Sequence, residues 1–216
     1  MIRKGHGLAI SFLGLLAWDA SGLDRAVARL FGTAQGFALR DQWWLVTLGH
    51  HGARYVGWAL LLALTFGLFK AWGPLKFFPH GKERCTMVGS IWLSLGAVSF
   101  LKGLSVTSCP WDLADFGGTL PYVSHWAWRI HDGGGGHCFP AGHASTALAF
   151  FAVGIWLLPV AHRTARRWLW GTALLGVALG TVQHVRGAHF VSHTLWTAWL
   201  CVAIPIALQR ILLSFR

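Results

Sequence analysis

The chain has 216 residues, 55% of them apolar, including 14 Trp and 14 Phe, and a mean hydropathy of +0.52, which excludes an ordinary soluble domain of this size. Its net charge of +11 comes with only 12% charged residues. The cations therefore form short clusters between apolar runs rather than the dense basic face of a nucleic-acid binder, and the composition describes an integral membrane protein.

A helix crosses a bilayer with about 20 mainly apolar residues, and six stretches qualify, roughly 7–23, 53–72, 86–105, 143–160, 168–186 and 190–209. The first is read as a span and not a cleaved signal, because the small-residue site Ala20-Ser21-Gly22 follows Asp19 and cleavage there leaves an odd number of spans. Segment 24–52 is amphipathic: Leu23, Val27, Leu30 and Phe31 recur at helical spacing, and Trp43-Trp44 suits an interface. It is expected to lie along the membrane surface as a lid or collar. Stretches 70–84, with Pro74 and Pro79, and 162–167 are short cytoplasmic turns.

The long connection 106–140 holds Pro110-Trp111-Asp112, Gly117-Gly118 and the run Gly133 to Gly136, and it ends at Pro140 before a helix. Glycine runs let backbone N–H groups approach an anion, and a helix start adds positive dipole; a flexible loop without a ligand fits the composition as well. With no internal repeat, one helical bundle over residues 1–216 is expected. Placing the N-terminus in the cytoplasm puts eleven Lys and Arg inside, from Arg3 to Arg216, and seven outside, among them Arg54, Lys102 and Arg186, which favours both termini inside.

That topology gathers three segments at the outer face: Lys102 near the end of the third span, Gly142-His143 opening the fourth, and Arg186 to His193 between the fifth and sixth. Charged and imidazole groups at membrane depth are costly unless paired or hydrated, so Lys102, His143, Arg186, His189 and His193 are candidate functional residues. Any one of them alone also reads as a snorkelling or satisfied interior group.

These motifs resemble the type 2 phosphatidic acid phosphatase (PAP2) superfamily, whose three motifs are Lys-x6-Arg-Pro, Pro-Ser-Gly-His and Ser-Arg-x5-His-x3-Asp. Lys102 with Cys109-Pro110 matches the first with Cys for Arg, Pro140-Ala141-Gly142-His143 the second with Ala for Ser, and His189 with His193 the third with His for Asp. Gln183 stands where that motif has Arg, and Arg186, one helical turn before His189, offers a displaced guanidinium. The resemblance implies an all-α, six-helix membrane bundle with an amphipathic outer segment. It implies a membrane lipid phosphatase in a bacterial inner membrane, its site facing the periplasm, acting without a metal or other cofactor on a phosphate or pyrophosphate monoester.

On the same resemblance His189 is the nucleophile, His143 the acid and base, and His193 the acceptor for the far nitrogen of His189. Lys102, Arg186 and the backbone of Ala141 and Gly142 are expected to bind the phosphoryl oxygens; Asp112, Asp115 and His184 are secondary orienting candidates. A lipid phosphate is the expected partner, nucleic acid is not, and undecaprenyl pyrophosphate, phosphatidylglycerol phosphate and lipid A phosphates are candidate substrates.

The predicted depths place Cys109 and Cys138 together in the outer connection, where an oxidising exterior permits a disulfide between the first and second motifs. Three other readings stand beside hydrolysis. A lipid phosphotransferase uses the same residues, and a degenerate, lipid-binding relative accommodates the substituted motifs. A metal or haem protein would draw on His50, His51, His125, His131 and His137 with the two cysteines, but their spacing forms no compact ligand motif.

Overall fold

The computed structural model describes residues 2–127 and 129–214; Arg216, counted above among the inner cations, lies outside them. Helix α1, Ile2–Ser21, ends at Gly22, whose φ of 71° turns the chain into the short α2, Leu23–Ala28. A short hairpin follows, β1 Gly32–Thr33 paired antiparallel with β2 Gly36–Phe37 across the turn Ala34-Gln35, with Gly36 at φ 110° directly after the turn. A π-helical stretch, Leu45–Gly52, then runs into α3, Ala53–Phe66.

Segment 24–52 is thus not one amphipathic helix. Leu30 and Phe31 lie beyond the end of α2, 75% and 38% exposed. The expected span 53–72 is likewise shifted, beginning at Leu45 and ending at Phe66. It stops where Trp72 folds back to donate its indole N–H to the Ala63 carbonyl at 3.0 Å.

Helices α4 (Gly81–Leu104), α7 (His162–Val185) and α8 (Val191–Ser214) occupy the third, fifth and sixth expected spans. The fourth is broken into α5, Gly142–Leu148, and α6, Phe151–Leu157. The Ser145 and Thr146 hydroxyls donate to the carbonyls of Gly142 and His143 at 2.6 and 2.7 Å. Past them the Phe150 N–H reaches Ala147, three residues back, and the turn tightens. By length and composition α4 and α8 qualify as membrane spans; α3 is short, and α7 is diluted by its basic first turns and by Gln183 and His184.

Helix α8 packs against α1, α4, α5 and α6, and α7 packs against α5 and α6. Leu64, Leu75, Met87, Ile91, Leu157 and Cys201 form the buried centre. In lipid the apolar effect gives little drive between helices, so close approach matters more. Gly176 admits the Leu148 side chain, and a Cβ at Gly57 would stand 2.8 Å from the Thr146 carbonyl oxygen. The outward side chains of Tyr55, Val56, Leu174 and Val177 are apolar and 67–71% exposed, the surface of a membrane protein. A second cluster of Ala28, Phe37, Leu113, Phe116 and Phe190 holds the hairpin and the 106–140 connection against the start of α8.

Candidate active site

Three stretches far apart in sequence are bonded to one another at that end of the bundle. Trp111 N–H donates to the Gly187 carbonyl at 3.0 Å, joining the first motif to the third. Ala141 N–H donates to the His193 carbonyl at 3.1 Å, and the Thr197 hydroxyl donates to the Ala141 carbonyl at 3.1 Å, joining the second to the third. Cys109 and Cys138 form a disulfide with a Cα separation of 5.2 Å.

The described part of the 106–140 connection is tied down by its own hydrogen bonds. Buried Asp132 accepts from Ser108 N–H at 2.7 Å, the Ser108 hydroxyl at 2.9 Å and Gly134 N–H at 2.9 Å. His137 and Cys138 donate their N–H groups to Ser105 and Thr107. The glycines serve this packing: a Cβ at Gly136, whose φ is 63°, would meet the Ser105 carbonyl oxygen at 2.7 Å.

Lys102, in the last turn of α4, donates its ammonium to the His137 carbonyl, while the His137 ring nitrogen Nδ1 lies 3.1 Å from the Lys102 carbonyl. The Lys102 stem passes over Gly142, where a Cβ would stand 3.3 Å from Cδ. Lys102, Gly142 and His143 line one cavity of about 400 Å³ that also takes Arg54, Trp58, Trp92 and Phe150. His189 is not among the residues lining that cavity; its ring centroid lies 6.2 Å from that of His143, and it is 4% exposed. Its Nδ1 faces the Cys138 sulfur at 3.5 Å, and that sulfur is 3.1 Å from the Ala188 carbonyl oxygen. Burial first, then the neighbouring His193, Lys102 and His143, hold the His189 ring pKa well below its usual 6.5, so the ring is neutral at pH 7.

Three expected site residues are placed otherwise than the sequence indicated. Ala141 has its N–H committed to His193, so it docks the second motif and is not a phosphoryl donor. Arg186 does not line the Lys102–His143 cavity: its Nε donates to the Arg40 carbonyl at 2.8 Å and an Nη to the Gln183 side chain at 3.2 Å, tying segment 24–52 to the turn before His189. His193 makes no hydrogen bond to His189; the rings stand 5.7 Å apart. It sits fully buried among His125, Phe139 and Phe190. Neither of its ring nitrogens reaches hydrogen-bonding geometry with a described residue.

The secondary candidates are structural. Asp112 accepts from Cys109 N–H at 3.3 Å, Asp115 pairs with Arg25 and Arg29 at 2.6 and 3.2 Å, and His184 Nε2 meets the Thr194 hydroxyl at 3.0 Å. Of the metal alternative, Cys109, Cys138 and His189 come within 4.8 Å of one another, but the sulfurs are joined in the disulfide, and it is the thiolate that ligates a metal.

Sequence reasoning gave no role to Asp19 and Asp24. Asp24 accepts from Ser192 N–H at 2.9 Å, from the Ser192 hydroxyl and from the Trp18 indole at 2.8 Å, capping the start of α8 from another helix. Asp19 accepts from the indoles of Trp126 and Trp196 at 3.0 and 2.8 Å and lies 3.4 Å from His125 Nε2. Both carboxylates border an apolar helix, where an acid is as costly as the bases that drew attention.

Residues 84–214 match the PAP2 superfamily. The chain belongs to that superfamily. Its fold is similar to the crystal structure of a transmembrane PAP2 type phosphatidylglycerolphosphate phosphatase from Bacillus subtilis, with a TM-score of 0.60 and 16% identity over 97% of each chain. No curated protein matches.

Proposed function

We propose that this protein is a metal-independent lipid phosphatase that works through a phosphohistidine at His189, as one domain with both termini in the cytoplasm and its site at the periplasmic face of a bacterial inner membrane. The observation that carries this reading is the cavity where Lys102 and His143 meet apolar walls, with the neutral His189 ring 6.2 Å from that of His143. Such a cavity fits a phosphorylated headgroup with its chain in the apolar part. The excess of Lys and Arg on the other side supports the orientation.

His189 presents Nδ1 to the Cys138 sulfur, which leaves Nε2 to attack phosphorus. The Nε2–phosphorus bond forms, the bond from phosphorus to the leaving oxygen breaks, and His143 gives that oxygen its proton. His143 then takes a proton from water, which attacks the phosphohistidine and releases phosphate and neutral His189. Lys102 and the start of α5 at Gly142 stabilise the charge on the transferring phosphoryl group.

The test is phosphate release by the purified protein in detergent with chelator present, from undecaprenyl diphosphate, phosphatidylglycerol phosphate and lipid A, beside His189→Ala. Release that survives chelation and disappears in the variant is the expected result. Chelator-sensitive release, or release undiminished in a folded His189→Ala protein, contradicts the proposal.

A further inference from the structure

Arg54 stands outside all three motifs, in the first turn of α3, yet it lines the same cavity as Lys102, Gly142 and His143. No carboxylate lines that cavity, and the ion pairs among the described residues leave Arg54 without an acidic partner. Arg54 is exposed at the edge of that cavity, so its guanidinium is free of any carboxylate and open to an incoming anion. Its planar fork suits the oxygens of a phosphate group.

We infer that Arg54 binds a second phosphate of the substrate, joined to the reacting phosphoryl through a bridging oxygen, and so selects lipid diphosphates over lipid monophosphates. This rests on the phosphatase reading above. His189 is buried next to His143, the cavity residue nearest the proposed nucleophile, so the reacting phosphoryl belongs at the His143 end. The next phosphate outward then falls between Lys102 and Arg54, and Trp58, Leu61, Trp92 and Leu95 take the chain. When the bond from the terminal phosphorus to the bridging oxygen breaks, His143 gives that oxygen its proton, and the leaving group is a lipid monophosphate whose remaining anionic oxygen Arg54 holds. A lipid monophosphate releases an alcohol instead and offers Arg54 no anion.

The experiment compares farnesyl diphosphate with farnesyl monophosphate in wild type, Arg54→Ala and Arg54→Lys. Arg54→Ala is expected to lower kcat/KM for the diphosphate by about tenfold or more and for the monophosphate by less than about threefold, with Arg54→Lys recovering part of the loss. Equal losses on both lipids, or none, overturn the inference. A second readout needs no turnover: affinity for the non-hydrolysable methylene bisphosphonate of farnesol is expected to weaken about tenfold in Arg54→Ala, and unchanged affinity overturns the inference too. Arg54-dependent binding of that analogue by a wild type that releases no phosphate supports Arg54 and contradicts the phosphatase reading.

Discussion

At the scale of single residues, the protonation state of His189 decides whether the site has a nucleophile. Burial keeps its pKa well below 6.5, so the folded protein holds the ring neutral while the unfolded chain takes up a proton near the ordinary value. Above about pH 6.5 this group adds no pH dependence to stability. As pH falls from there toward the folded pKa, the unfolded state gains the proton and stability drops. Thermal unfolding in detergent between about pH 7.5 and 5 is expected to show that decline in wild type and a shallower one in His189→Gln; equal slopes contradict it. That Lys102 and His143 come together was legible in the sequence because a polar group at a span end is costly and therefore conspicuous. The commitment of the Ala141 N–H to His193 was not, since a backbone partner fifty residues away depends on how α5 docks against α8.

At the scale of elements, two acids that look alike in sequence differ in what they hold. Asp24 is buried and caps α8 within the His189–His193 segment, whereas exposed Asp115 joins half-buried Arg25 and exposed Arg29. The Arg25 hydrogen bond holds the Asp115 carboxyl below its usual range, so that contribution is present at neutral pH and is lost as pH falls through the folded pKa. Exposed pairs contribute at most about 1 kcal/mol. Removing a buried cap that leaves backbone donors unpaired costs about 1–3 kcal/mol. Asp24→Ala is therefore expected to lower the melting temperature clearly and to reduce phosphate release, and Asp115→Asn to do little of either; the reverse order contradicts this account. Helices α4, α7 and α8 were legible from their apolar length. The break between α5 and α6 was not, because Ser145 and Thr146 do not announce that their hydroxyls will turn back on the carbonyls of Gly142 and His143.

At the scale of the whole molecule, the bundle and the disulfide together fix the site. The Cys109–Cys138 bond closes a separation of 29 residues, and a loop of that length is worth about 3–4 kcal/mol of unfolded-chain entropy. The Cys109→Ser, Cys138→Ser double variant is expected to lose about 2–4 kcal/mol of stability and, because the Cys138 sulfur backs His189, to lose activity at temperatures where it remains folded. Unchanged activity and melting temperature contradict both statements. The helical membrane architecture was legible from apolar runs, and the pairing of the two cysteines from their shared depth. Segment 24–52 was misjudged because helical spacing in Leu23, Val27, Leu30 and Phe31 is cut by Gly32 and Gly36, which form the hairpin that seats Phe37 on Phe116 at 5.1 Å. The central claim, a covalent intermediate on His189, is tested most directly by rapid quenching with a radiolabelled lipid diphosphate, followed by mapping of the labelled peptide. The account predicts an acid-labile, alkali-stable label on the peptide containing His189, accumulating in His143→Ala as hydrolysis of the phosphohistidine slows. Phosphate release without any such label, or a label on another residue, would contradict it.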